Sequence, residues 1–116
     1  KGVNVMQNAA KRLMHDAVKC GYKLRVYYTE GNDMAYATGV DVEKAYEATQ
    51  DCDIGILYLI PHKKIDTKDW ALIIHGNNDD ELISDHVVGG FIDRWSSDTD
   101  YGQESMSREF KQRESI

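Results

Sequence analysis

Two apolar runs constrain this chain most: Ile54-Gly55-Ile56-Leu57-Tyr58-Leu59-Ile60 and Trp70-Ala71-Leu72-Ile73-Ile74-His75. Each is too short for a buried helix and too continuous for a strand with one wet face. Runs of about four to eight apolar residues bounded by turn signals read as interior strands. Pro61 closes the first run, because proline has no N–H for a ladder. The polar stretch HKKIDTKD then separates the two. The runs are therefore expected to pair antiparallel in the middle of a sheet, with one face fully covered and the other at least in part.

The flanking segments supply the other elements. Residues 23–30 alternate, with Leu24, Val26 and Tyr28 on one side and Lys23, Arg25 and Tyr27 on the other, as in a half-buried strand. Glu30-Gly31-Asn32-Asp33 makes a turn, and residues 34–39 return as a second strand. Residues 4–20 carry Met6, Ala9, Ala10, Leu13, Met14, Ala17 and Val18 at helical spacing, with Asn4 as N-cap and Gly21 as stop. Asp41 caps a second helix, with Val42, Ala45, Tyr46 and Thr49 on its inner edge. A last helix is expected from Leu82 to Trp95, broken at Gly89-Gly90 because each glycine costs about 1 kcal/mol in a helix interior. Beyond it, 97–116 reads as a polar tail in which Met106 and Phe110 could form a short docking helix.

The expected fold is α+β: a four-stranded antiparallel sheet with helices packed on it, in the order α-β-β-α-β-β-α, over residues 1–96. The expected core includes Leu13, Leu57, Leu59, Trp70, Leu72, Ile74 and Ile92.

A chain of 116 residues is sized for one domain and needs neither metal nor disulfide to fold. Its apolar fraction of 41% and charged fraction of 29% fit an ordinary globular protein. There is no run of about 18 apolar residues and no charged-then-apolar leader, so no membrane span is expected. Cys20 and Cys52 form no Cys-x-x-Cys and are expected to stay reduced, which points to the cytoplasm.

Charge comes in blocks. Residues 1–29 carry +5, 30–53 carry −6, 54–75 carry +1, 76–100 carry −6 and 101–116 are balanced. Lys11, Arg12, Lys19, Lys23 and Arg25, with Tyr27 and Tyr36, have the composition of a single-strand nucleic-acid face. The net charge of −6 weighs against that partner.

One stretch invites a chemical reading: His75-Gly76-Asn77-Asn78-Asp79-Asp80-Glu81-Leu82-Ile83-Ser84-Asp85-His86. Carboxylates and imidazoles bind cations, so a metal- or ligand-binding enzyme site around His75, Asp79 and Asp80 is one reading. The spacing matches neither an EF-hand nor His-Glu-x-x-His. The other reading explains more residues. Gly76, Asn77 and Asn78 turn the chain, Asn78 or Asp79 caps a helix, and Asp80 and Glu81 meet its positive end. On this reading there is no metal, no cofactor and no catalytic residue. Pairs such as Asp51-x-Asp53 and Asp98-x-Asp100 are common in loops, and no phosphate loop or nucleophile-base grouping is legible.

From Trp70 the stretch WALIIHGNNDDELISDHVVGGFIDRW resembles small acidic proteins encoded by bacteriophages, with the likeness extending over about Tyr27 to Trp95. The resemblance carries no assigned catalytic residue. It implies a cytoplasmic protein that acts by binding a host protein. Some proteins of this kind inhibit defence or nucleic-acid enzymes by placing carboxylates where DNA phosphates would sit. The expected function is thus a non-enzymatic inhibitor that binds a basic host surface. Glu43, Glu47 and Asp51 on the second helix would form one acidic row, and Asp80, Glu81 and Asp85 on the last helix another.

Overall fold

The computed structural model describes residues 8–29, 33–51, 54–61 and 69–116. Helix α1 (Ala9–Lys19) leads into strand β1 (Tyr22–Tyr28), then β2 (Met34–Gly39), α2 (Val42–Gln50), β3 (Ile54–Pro61) and β4 (Trp70–Ile74). A 3₁₀ turn (Asp79–Glu81), β5 (Ile83–His86), α3 (Phe91–Asp98) and α4 (Arg108–Glu114) come next. The strands form one antiparallel sheet in the order β2-β1-β3-β4-β5.

The α+β class holds, and the two apolar runs are the neighbouring strands β3 and β4. Among the described residues the sheet has five strands, not the expected four. Residues 83–86, read above as helix, are the edge strand β5 against β4. The reason is the backbone of β4. Without a neighbour its outer N–H and C=O groups would lie unpaired. Ile74 N–H instead donates to Leu82 O at 2.9 Å, and Val87 N–H to Trp70 O at 3.1 Å. A short helical pattern already broken by Gly89-Gly90 cannot outweigh those bonds. The true helix begins after the glycines, at Phe91, where Asp69 accepts the Phe91 N–H at 2.9 Å.

Helix α1 starts one residue after Asn8, whose side chain accepts from Lys11 N–H at 3.0 Å. The expected Asn4 cap and Met6 contact lie outside the described residues, as do Cys52 and His62. Gly21 ends the helix at φ +101°, a left-handed conformation that glycine adopts without a Cβ clash. A Cβ there would also lie 2.8 Å from the Ile116 side chain. Asp41 caps α2 by accepting from Lys44 N–H at 3.2 Å, as expected. Gly55 lets α2 approach the sheet closely, since a Cβ there would sit 3.2 Å from the Thr49 Cα.

Helices α1 to α4 cover the same face. Ala10, Leu13, Met14 and Ala17 of α1, Ala45 and Ala48 of α2, Ile92 and Trp95 of α3 and Phe110 of α4 pack on Leu24, Val26, Leu57, Leu59, Ala71 and Ile73. The Leu13, Leu57, Leu59 and Ile92 expectations hold. The expectation for Trp70, Leu72 and Ile74 does not. They alternate with the buried Ala71 and Ile73, point to the other face and stay half-buried outside the core cluster. Both faces of β4 are apolar, so composition could not say which one the helices would cover. The pairing of Ala71 with Leu57 decides it.

The segment after Asp98 returns to the body. Phe110 is buried against Phe91, with ring centroids 5.5 Å apart. Arg94 grips the buried Glu114 through two bonds of 2.7 and 2.8 Å. The Ile116 N–H donates to Cys20 O at 2.9 Å. Among the described residues, no helix is long and apolar enough to cross a membrane.

Candidate functional site

Antiparallel pairing determines which turns become neighbours. Tyr28 of β1 lies opposite Gly55 of β3, Ile54 lies opposite Ile74 of β4, and Tyr27 pairs with Met34 of β2. One end of the sheet therefore receives the turn before β2, the C-terminus of α2 and the turn after β4. Those segments carry exposed Asp33, Asp51, Asp79 and Glu81. The loop after α3 joins them, since Gln103 Nε2 donates to Asp79 at 3.2 Å. Asp79, Asp100, Tyr101 and Gln103 line a shallow open depression of about 630 Å³.

The opposite end carries cations as well. It receives Lys19 from the last turn of α1, Lys23 from the start of β1, and Lys111 and Arg113 from α4. The Arg94–Glu114 pair and the Ile116–Cys20 bond hold α4 there. The same elements bring Asp41, Asp93, Glu109 and Glu114 to this end, so it is mixed in sign.

The acidic residues expected from sequence are placed unevenly. Glu43 and Glu47 share the exposed side of α2, and Asp51 stands at its C-cap. Glu43 takes an ion pair from Lys11 at 3.0 Å, and the same ammonium sits 4.9 Å from the centre of the Tyr46 ring. Asp51 accepts from the Tyr28 hydroxyl at 3.2 Å. The expected second row does not form, because its helix does not exist. Asp80 and Glu81 lie in the 3₁₀ turn, and Asp85 lies in β5 opposite Leu72, at the far edge of the sheet. Asp33 and Asp100 were absent from the expected set. Their signal is position at a strand or helix end, which has meaning only once strand order is known.

His75 and Asp79 serve different partners. His75 Nε2 lies 2.9 Å from the Thr49 hydroxyl, and its ring meets Tyr46 edge-on at 5.2 Å. Burial holds its pKa below the usual histidine value, so the neutral ring is favoured. Asp79 caps a helix, but not the one expected after it. Its carboxylate accepts the Ala9 N–H at 2.9 Å and lies 3.4 Å from Arg12 Nη1. Asn78, the other expected cap, makes no side-chain cap bond. Among the described residues, no group of three or more His, Cys, Asp and Glu side chains is arranged to hold a metal ion.

Other titratable groups inside the fold are engaged in architecture. Asp16 accepts from the Trp95 indole N–H at 2.8 Å, and burial raises its pKa despite that bond. Burial likewise raises Asp69 at the start of α3. His86 Nε2 lies 3.1 Å from Asp93, which also accepts the Gly89 N–H at 2.9 Å. Those contacts, the Gly89 bond first, hold the Asp93 carboxyl below its usual range.

Comparison with known protein families, curated proteins and solved structures found no match for this chain.

Proposed function

We propose that this is a non-enzymatic interaction protein that binds a basic protein surface through the acidic end of its sheet. The observation that carries the reading is the convergence of separate acidic segments, bearing Asp33, Asp51, Asp79 and Glu81, at one end of the strands. Like charges brought together from distant parts of a chain cost stability, and a charged end steers a complementary partner during encounter. Glu47 extends the surface along α2, whereas Asp85 stands apart from it. The likeness to bacteriophage-encoded acidic proteins would make the partner a host protein and binding its inhibition.

The test is capture of partners from host lysate at low and raised salt, with Glu47, Asp51 and Glu81 reversed to lysine together. Specific capture should fall with salt, because exposed charges are screened beyond about 10 Å at 0.1 M. It should be lost in the reversed protein. Capture that survives both changes overturns the reading.

A further inference from the structure

The turn after α3 holds three consecutive residues in the left-handed region: Asp100 at φ +51°, Tyr101 at +56° and Gly102 at +84°. Glycine adopts that region freely, whereas it is costly for a bulky residue such as tyrosine. The turn is clamped into this shape from beneath. Tyr101 N–H donates to Ser96 O at 2.8 Å, Glu104 N–H to Thr99 O at 2.8 Å, and Gly102 N–H to the Thr99 hydroxyl at 2.9 Å. Arg12 Nη1 donates to Gly102 O at 2.6 Å. Tyr101 is thereby left 53% exposed, beside the depression it lines with Asp79, Asp100 and Gln103.

We infer that this depression seats an arginine side chain of a basic protein partner. The inference rests on the acidic-end reading and names what that end grips. Asp79 is not the free anion here, because Ala9 N–H, Arg12 and Gln103 already occupy its carboxylate. Asp100 is: its carboxylate is exposed, and no described residue bonds to it. Gln103 supplies a second acceptor. A carboxylate can accept only from the amide nitrogen, so the 3.2 Å bond from Nε2 to Asp79 fixes the amide and leaves Oε1 to accept from elsewhere. Two oxygen acceptors beside an exposed aromatic ring disfavour an anion and suit a cation with several N–H donors.

A guanidinium suits this set better than an ammonium. It is planar, so it can stack on the Tyr101 ring while its N–H fork donates to Asp100 and Gln103. An ammonium is a compact, strongly hydrated charge that gives up water less readily. The clamped turn also lowers the cost of binding, because Asp100 and Tyr101 lose little freedom when the cation arrives. A tyrosine where glycine would fold with less strain points the same way, since strained residues cluster at ligand clamps.

The experiment is titration of the full, isotope-labelled chain at low salt with a terminally blocked Gly-Arg-Gly peptide, read by NMR. The amide signals of residues 100–103 should shift and saturate in the millimolar range. The same peptide with citrulline, a neutral isostere of arginine, should bind roughly tenfold more weakly, and the lysine peptide should also bind more weakly. Tyr101→Gly removes the left-handed tyrosine, so it should melt no lower than wild type yet lose roughly tenfold in affinity. Asp100→Asn tolerates the same backbone and should lose about as much. Absence of a saturable shift at 100–103 overturns the inference. So does equal affinity for the citrulline peptide, or full affinity in folded Tyr101→Gly. Lysine bound as tightly as arginine overturns the guanidinium assignment. The two readings fail separately. No peptide binding, with partner capture still abolished by reversing Glu47, Asp51 and Glu81, removes the arginine seat alone. Capture that survives that reversal sinks the acidic-end reading, even where the peptide binds.

Discussion

The Asp79 carboxylate accepts a hydrogen bond from the backbone N–H of Ala9, seventy residues earlier in the chain, at 2.9 Å. The first turn of α1 is thus closed from two directions, by Asn8 at its N-cap and by Asp79 from the turn after β4. Free N–H groups at a helix start need such acceptors. Asp79→Ala should cost about 1 kcal/mol and speed hydrogen exchange at Ala9. Unchanged exchange there would show that Asn8 alone caps the helix.

Asp16 and Trp95 make a second long-range contact that separates two kinds of substitution. Asp16→Ala leaves the indole N–H without its acceptor and should cost about 1–3 kcal/mol. Asp16→Asn keeps an acceptor and removes a buried charge. The folded pKa of Asp16 is raised, so its wild-type contribution to stability falls as pH rises from the ordinary carboxylate range to the raised value. The asparagine variant should therefore gain on wild type across that window in denaturation at several pH values. An equal loss in both variants at every pH would remove this account.

Glu114 works with the opposite sign. The Arg94 guanidinium holds its carboxyl below the ordinary range. Stability from this pair is present above the unfolded pKa and is lost as pH falls through the lower folded value. Glu114→Gln should therefore destabilise the protein at neutral pH and lessen its loss of stability in acid. A variant with the wild-type acid profile would show that the pair does not anchor α4 energetically.

The two faces of the sheet should respond differently to truncation. Leu57 is fully buried under the helices, and Leu57→Ala should cost about 2–5 kcal/mol. Leu72 is half-buried on the other face, and Leu72→Ala should cost clearly less in dilute, monomeric protein. Equilibrium denaturation measures both, and equal costs would mean that both faces are packed alike.

Local chemistry was legible where short-range forces decide the outcome. The runs at 54–60 and 70–75 could be little other than strands, Asp41 caps the helix directly after it, and Gly21 could end a helix without strain. The blocks of charge were also plain in the order of residues. Tertiary structure decided the features that depend on neighbours far away in sequence. The need of β4 for a hydrogen-bonding partner made 83–86 a strand and removed the second acidic row. The pairing of Ala71 with Leu57 turned Trp70, Leu72 and Ile74 away from the helices. Asp79 found its helix seventy residues away. Strand order gathered Asp33, Asp51 and Glu81 at one end of the sheet. Periodicity and capping act over a few residues along the chain, whereas ladder pairing and layer packing act through space. For that reason the elements could largely be read from the residues, while the surface they build could not.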